Sequence, residues 1–397
     1  MLQAQESPKF GVKFSGFVKT DIFWDSRQTV SVREGHFLLY PKNESLDING
    51  EDINDKSNFN MLSIQTRLRA LATGPDVLGA KTSAFVEGAF FGAINSDVNT
   101  FRLRHAFVKL AWTKTQLLVG QYWHPMFNTK CYPGTVSFNT GAPFQPFSRN
   151  PQIRLTRKMG DFNLALTALS QRDFASFGPG GANSVYLRNT GYPAFNLRFE
   201  YNKINKDNGT EFLIGISTNY KALTPRLVTT ENYKTSNTAN SASFTGFIKY
   251  KNKKITVKAN GFYGGDAFNL TMLGGYGVTT LSDTSGILEE YSCVRNASFW
   301  TDFHTNGKKW QFGLFAGYSK NLGSDNDIVG TNYSRGSNID HLYRISPRVI
   351  FNAGKFRIAP EIEYTVAAYG STQANGTVED AKEIGNVRVL LGVYYFF

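Results

Sequence analysis

The stretch NVRVLLGVYYFF, residues 386–397, decides the fold of this chain. Val387, Val389, Leu391, Val393 and Tyr395 share one parity with Phe397, and Asn386, Arg388 and Gly392 fall on the other. Such period-two alternation indicates a β-strand between two different environments. Residues 356–368 alternate in the same way, with Phe356, Ile358 and Ile362 opposite Arg357, Glu361 and Glu363.

Similar segments recur along the whole sequence. They begin near Phe10, Asn60, Lys81, Phe101, Gln116, Gln152, Phe162, Phe195, Phe212, Phe244, Ile255, Tyr291, Trp310, Leu342, Phe356 and Val387. The sequence therefore predicts an all-β protein with about sixteen strands.

Composition excludes the main alternatives. Phe, Tyr and Trp make up 14% of the 397 residues, which is incompatible with a disordered chain. No apolar run approaches the roughly 18 residues of a membrane-spanning helix. Two cysteines cannot form a disulfide scaffold.

The connections between the predicted strands alternate in length. Short turns occur at 112–114, 159–161, 251–253, 305–308 and 352–355, and long polar connections at 25–57, 124–149, 173–192, 222–241, 265–288, 321–338 and 370–384. A sandwich or solenoid has no reason to place all its long loops at one end, whereas a transmembrane barrel has short periplasmic turns and long external loops. We therefore predict a single transmembrane antiparallel barrel over residues 10–397.

The two parities of each strand then face lipid and a water-filled lumen. Ser63, Gln65, Arg67 and Arg69 are assigned to the lumen, and Leu62, Ile64 and Leu68 to lipid. Tyr residues at strand ends are expected to form the interfacial aromatic girdle: Tyr250, Tyr263, Tyr318, Tyr394 and Tyr395.

The closing strand also resembles the outer-membrane assembly signal of Gram-negative bacteria. Within the chain, residues 101–107 (FRLRHAF), 117–123 (LLVGQYW) and 150–156 (NPQIRLT) are similar to the DcaP-like porin family. The matched motifs lie within residues 60–175. The resemblance implies a homotrimer in the outer membrane, in contact with lipid and lipopolysaccharide. It also implies passage of small anions such as dicarboxylates, and a third loop, 124–149, folded into the lumen.

Charge supports an anionic cargo independently. Parity assigns seventeen basic side chains to the lumen: Lys13, Lys19, Arg67, Arg69, Lys81, Arg102, Arg104, Arg154, Lys158, Arg198, Lys249, Lys251, Lys258, Arg344, Arg348, Arg357 and Arg388. It assigns six acidic ones: Asp21, Glu87, Glu200, Glu211, Glu361 and Glu363. An excess of fixed positive charge in a narrow pore concentrates anions.

The third loop contains Lys130 and no Asp or Glu, whereas a cation-preferring constriction would carry carboxylates. We predict an electrostatic sieve for dicarboxylates or phosphate, because guanidinium groups bind both in a bidentate manner. The solute pathway is assigned to Arg67, Arg69, Arg102, Arg104, Arg154, Arg198, Arg348, Arg357, Arg388 and Lys130. The alternative for these arginines is structural pairing with Glu87 and other wall carboxylates.

The loop's aromatic residues leave a second transport hypothesis open. Phe127, Tyr132, Phe138, Phe144 and Phe147 could stack on sugar rings, as in a saccharide-specific porin, but packing against the barrel wall is the favoured interpretation. A barrel enzyme is a more remote alternative. The five histidines lie outside Gly-x-Ser-x-Gly and His-Glu-x-x-His motifs, and parity directs His105 toward lipid. We expect no enzymatic activity.

Remaining features carry weaker signals. Residues 47–55 resemble a calcium loop, but the glycine and the final Glu are not at the required positions. An acidic, solvated loop is the favoured interpretation and a loose calcium site is the alternative; no other cofactor is expected. The basic residues form no external stripe that would bind nucleic acid. Ala4 followed by polar residues resembles the end of a cleaved signal peptide, so residues 1–9 are expected to be a signal remnant or tail.

Overall fold

The computed structural model describes residues 10–397, and the tail predicted for residues 1–9 lies outside this part. In chain order the strands are β1 (Gly11–Asp25), β2 (Thr29–Val32), β3 (Phe37–Pro41), β4 (Asn58–Leu62), β5 (Arg67–Thr73), β6 (Lys81–Ala89), β7 (Arg102–Ala111), β8 (Thr115–Trp123), β9 (Arg149–Met159), β10 (Phe162–Leu169), β11 (Phe177–Gly178), β12 (Gly181–Ala182), β13 (Ala194–Asn205), β14 (Thr210–Leu223), β15 (Ala239–Lys251), β16 (Ile255–Gly265), β17 (Gly275–Thr280), β18 (Glu290–Thr305), β19 (Trp310–Gly323), β20 (Ile339–Ala353), β21 (Phe356–Thr372) and β22 (Val378–Phe396). One short helix, α1 (Val185–Arg188), and two 3₁₀ turns, Asn95–Asp97 and Phe268–Leu270, lie in loops.

The large sheet closes on itself as an antiparallel barrel. Its wall has sixteen strand positions, which are called staves here. It contains eighteen strand segments because β4 and β5 share one stave and β17 is a short addition beside β18. Closure is made by β1, which pairs with β22 from Phe17↔Phe396 to Asp25↔Arg388 and with β5 from Gly11↔Thr73. The predicted sixteen-strand barrel is confirmed.

The outer face of the barrel is apolar. Trp24, Ile153, Ile216, Phe299 and Val389 are between 41% and 65% exposed. A soluble surface does not tolerate an apolar belt of this extent, whereas lipid requires it. Among residues 10–397, no helix is long or apolar enough to span a bilayer.

Loops differ in length at the two ends, as predicted. Long connections span 26–57, 90–101, 124–148, 170–193, 224–238, 266–289 and 324–338. The long loop expected at 370–384 is wrong, because β21 and β22 extend beyond the other staves and leave only 373–377 between them.

Two lipid-facing assignments also fail where the second stave is interrupted. A turn at residues 63–66, closed by Thr66 N donating to Ser63 O over 3.2 Å, separates β4 from β5 and shifts the parity. Leu62 and Ile64 consequently face inward and are buried. Tyr394, expected in the girdle, also faces the lumen, where Lys19 Nζ lies 4.9 Å from its ring centre.

The seam between the first and last strands predicts a sensitive glycine. A Cβ at Gly16 would lie 2.2 Å from the carbonyl oxygen of Arg67, whereas a Cβ at Gly11 on the same strand meets nothing within 4 Å. We expect Gly16→Ala to destabilise the closed barrel by about 1–3 kcal/mol and Gly11→Ala to be neutral. The fraction of heat-modifiable folded barrel after refolding in detergent measures both, and equal fractions would contradict the prediction.

Candidate functional site: the lumen and its inward loop

Residues 124–148, here called the inward loop, cross the lumen and are held by carboxylates of the opposite wall. Glu361 accepts hydrogen bonds from the backbone N–H groups of Val136 at 2.6 Å and Ser137 at 3.2 Å. Glu363 accepts one from Asn139 Nδ2 at 2.7 Å. Hydrogen bonds to a charged acceptor are each worth about 1.5–3 kcal/mol, so β21 is a principal anchor of the loop.

Two further carboxylates hold the same loop. Asp302 Oδ2 accepts from the backbone N–H of Gly134 at 3.2 Å, and Glu200 binds Asn128 Nδ2 and the Lys130 ammonium. The loop contains no Asp or Glu, so every carboxylate in these contacts comes from the wall. Much of the negative charge of the wall is therefore engaged in fixing the loop.

The aromatic residues of the loop confirm the packing interpretation. Phe127, Phe138, Phe144 and Phe147 are all buried within the core that fills the lumen. Tyr132 is the exception at 41% exposed. Of the five aromatic side chains of the loop, Tyr132 therefore offers the most exposed surface to a sugar ring.

Three predicted arginines converge on one carboxylate on the far side of the loop. Glu87 receives Arg69 Nε at 2.6 Å and Arg104 Nε at 2.7 Å. Arg67 Nε lies 3.5 Å from Oε1 of the same residue. A single carboxylate neutralises one guanidinium, so this cluster retains two positive charges.

These residues line a cavity of about 410 Å³ between the wall and the inward loop. Arg357 also lines it and is joined to Asn352 Oδ1 at 2.8 Å. Four arginines and Glu87 give the cavity a formal charge of +3 with its histidine neutral. Tyr132, Thr135 and Ser137 of the loop form the facing side.

The remaining predicted residues lie elsewhere in the lumen. Arg102 and Arg149 bind Asp173, the latter at 2.7 Å, on the external side. Arg154 donates to the Trp123 carbonyl at 2.7 Å.

Three predicted arginines and Lys130 are engaged in ion pairs or loop contacts. Arg348 lies 2.9 Å from Asp302 and Arg388 lies 2.6 Å from Asp25. Arg198 lies 3.6 Å from Glu200, the residue that also binds Lys130. For these side chains the pairing interpretation describes the geometry. The count of lumen-facing charges made from strand parity also misses Asp25 and Asp302, which both face inward.

His105 is a correction to the sequence analysis. The register of β6 and β7 passes from Glu87↔His105 to Gly88↔Leu103, which leaves Arg104 as an extra bulged residue. Because a bulge shifts the parity, both Arg104 and His105 face the lumen, and His105 Nε2 lies 3.8 Å from Glu87. A bulge leaves no clear sign in an alternating sequence.

A second loop also enters the lumen, and no pattern in the sequence predicts it. β2 and β3 form a hairpin, residues 29–41, whose tip carries Arg33 and His36, both buried. Arg33, Glu34 and Gly35 have φ of 57°, 53° and 88°, a left-handed run that is costly for the first two residues. We call this segment the first-loop hairpin.

Two aspartates of residues 47–55 accept hydrogen bonds from the backbone of their own loop. Asp47 Oδ1 accepts the backbone N–H groups of Asn49 and Glu51, and Asp52 Oδ1 accepts those of Ser45 and Asn54. Within residues 10–397, no group of three or more His, Cys, Asp or Glu side chains is placed to hold a metal ion. Cys131 and Cys293 are free thiols and do not pair.

Comparison with known proteins supports the fold. No model of a known protein family matches the chain, and no curated protein matches its sequence. The outer-membrane channel DcaP of Acinetobacter baumannii is similar in structure, with a TM-score of 0.70, 14% identity and 99% of each chain covered. The anion-selective porin of Comamonas acidovorans has a TM-score of 0.56 at 11% identity, covering 98% of this chain and 100% of that one. A trimeric form of OmpT of Vibrio cholerae has a TM-score of 0.56 at 10% identity, covering 98% and 99%.

The closed barrel with an apolar belt and an inward loop defines the class of this protein as an outer-membrane barrel with the porin fold. Its architecture is similar to that of the DcaP channel, in agreement with the motifs at 101–107, 117–123 and 150–156. The fold and belt place the chain in the outer membrane of a Gram-negative bacterium.

The anchoring of the inward loop can be tested at Glu361. We expect Glu361→Ala to loosen the loop, because two backbone N–H groups lose their acceptor, and to raise single-channel conductance and its noise. Glu379→Ala on the exposed part of β22 is the matched control. Unchanged conductance in a folded Glu361→Ala barrel would contradict this role.

Docking of the first-loop hairpin should depend on pH. Burial, and then the positive charge of Arg33, Lys19, Arg388 and Arg104, lower the pKa of His36 well below its usual value. Asp21 Oδ2 lies 3.8 Å from His36 Nε2. The released hairpin has the ordinary pKa of about 6.5, so docking is strongest above this pH and weakens as the pH falls below it, by up to about 1.4 kcal/mol per unit.

Hydrogen–deuterium exchange of residues 29–41, corrected for intrinsic rates, should increase from pH 7.5 to pH 5. His36→Phe should abolish the increase. A wild-type hairpin whose protection is the same at both pH values would contradict the assignment.

Proposed function

We propose that the protein is a porin for passive diffusion of small hydrophilic solutes, with a preference for anions such as dicarboxylates and phosphate. The observation that carries this proposal is the convergence of Arg67, Arg69 and Arg104 on the single carboxylate of Glu87 in the cavity beside the inward loop. Their surplus positive charge lies on the path of a solute.

The physical basis is electrostatic. Low-dielectric walls focus the field of the surplus charge and raise the local anion concentration. The planar guanidinium groups bind carboxylate or phosphate oxygens in pairs. The Arg69 side chain is 34% exposed and Arg104 Nη1 has no hydrogen-bond partner within residues 10–397, so the cavity retains guanidinium donors for a solute.

Similar structures support the proposal at the level of the fold. One is described as an anion-selective porin, one as an outer-membrane channel, and one is a trimer form. We propose a homotrimer surrounded by outer-membrane lipid and lipopolysaccharide. The saccharide hypothesis is disfavoured because four of the five aromatic rings of the loop are buried, and the channel neighbours disfavour a barrel enzyme.

The charge of the cavity can be changed without altering its shape greatly. Arg67→Gln with Arg69→Gln lowers the formal charge from +3 to +1. We expect the anion-to-cation permeability ratio, measured from reversal potentials in a salt gradient, to fall several-fold. Arg188→Gln, at an exposed position of α1, is the matched control and should leave the ratio unchanged.

A cation-selective wild-type channel would overturn the proposed function. Liposome swelling separates the transport hypotheses, since we expect succinate to enter faster than neutral sugars of similar size. Faster entry of the sugars would favour the saccharide porin instead.

A further inference from the structure

Two of the cavities in the lumen share no lining residue within residues 10–397. The external one, of about 490 Å³, is lined by Phe37, Phe174, Phe268 and Arg335 among others. The inner one is the arginine-lined cavity beside the inward loop. A solute that moves from one cavity to the other must pass the residues that separate them.

Those residues form an aromatic contact between the first-loop hairpin and the inward loop. The ring centre of Phe37, which lines the external cavity, lies 5.6 Å from that of Phe138 and 5.2 Å from that of Phe147, which both line the inner one. His36 on the same hairpin lies 4.4 Å from Phe138. These ring contacts of the hairpin lie between the external and the inner cavity.

Arg33 at the tip of the hairpin is the unexplained residue of this contact. Its side chain is 1% exposed, and none of its three guanidinium nitrogens has a hydrogen-bond partner within residues 10–397. It lies instead among phenyl rings, 4.7 Å from Phe91 and 4.9 Å from Phe138. Asp173, a neighbouring carboxylate, is already bound by two other arginines. A buried charge without an acceptor is unfavourable, so this position favours the arrival of an anion.

The hairpin is fastened more firmly at its base than at its tip. At the base, the carbonyls of Leu39 and Pro41 accept from Arg344 Nη2 at 2.8 Å and from the Tyr369 hydroxyl at 2.6 Å. At the tip, Glu34 is bonded to Asn60 and Asn95 across exposed positions, and its backbone is left-handed. This distribution suits a segment that pivots about residues 39–41.

We propose that the first-loop hairpin is a displaceable gate between the two cavities and that Arg33 is an anion-binding contact carried on it. The ligand is the carboxylate or phosphate group of the passing solute, which pairs with the guanidinium when the hairpin moves. Anion binding then stabilises the open conformation, because it supplies the acceptor that the closed one lacks. The inference rests on the channel function proposed above.

A disulfide lock tests the gate. Glu34 N donates to Asn95 Oδ1 at 3.0 Å, so Glu34→Cys with Asn95→Cys would join the tip to the neighbouring loop. We expect the oxidised double variant to lose at least about nine-tenths of its conductance and to regain it on reduction. The conductance of each single variant should not change when the reductant is added. A fully cross-linked protein, verified by mass spectrometry, that conducts as well as the reduced form would overturn the gate.

Substitution of Arg33 tests the binding contact. Conductance in increasing succinate should saturate in the wild type, and Arg33→Met should raise the half-saturating concentration at least several-fold, with partial recovery in Arg33→Lys. Arg27→Met is the matched control, because Arg27 belongs to the same loop but is paired with Asp52 at 2.8 Å. An Arg33→Met channel that folds and saturates like the wild type would overturn the contact.

Inorganic phosphate in place of succinate shows whether the contact accepts both anions.

The proposed function and the proposed gate can be refuted independently of each other. Cation preference in the reversal potentials refutes the proposed function, whereas the disulfide lock reports the conductance of any ion and decides the gate alone.

Discussion

The hydrogen bonds between wall carboxylates and the backbone of the inward loop are the constraint on which the lumen depends. A barrel of sixteen strands is too wide to be filled by its own side chains. In this barrel loops enter the lumen, and their buried N–H groups need acceptors. Glu361 and Asp302 provide these acceptors. Because such carboxylates are committed to the loop, the arginines around Glu87 keep their surplus charge. One distribution of acidic residues thus holds the loop in place and leaves positive charge in the cavity.

The sequence predicted the barrel because lipid imposes a period of two on every stave, and the closing stretch 386–397 shows it most clearly. The wrong assignments of Leu62, Ile64 and His105 occur where that period is interrupted. The bulge at Arg104 and the turn at 63–66 each shift a parity, and neither has a residue signature of its own. Charge on one parity identified arginines that face the lumen, but sequence could not tell which carboxylate each would meet. Those pairings depend on strands far apart in the chain.

The first-loop hairpin was beyond sequence reasoning for a different reason. Its burial depends on Phe91 and Phe138, which lie in other loops and show no alternation. Aromatic side chains of this chain also occur in two places, on the lipid-facing surface and in the interior of the lumen. Phe37 and Phe147 occupy the second, so that part of the aromatic content forms a core inside the barrel.

The anchoring of the inward loop by β21 also constrains the order of folding. The bond from Val136 to Glu361 joins residues 225 positions apart, and the seam joins Phe17 to Phe396. Contacts of such long range form slowly because the intervening chain must be ordered first. The loop therefore docks only after the last staves have inserted, and until then its phenyl rings are exposed in a half-built barrel. Assembly of this protein would be most vulnerable to aggregation just before closure.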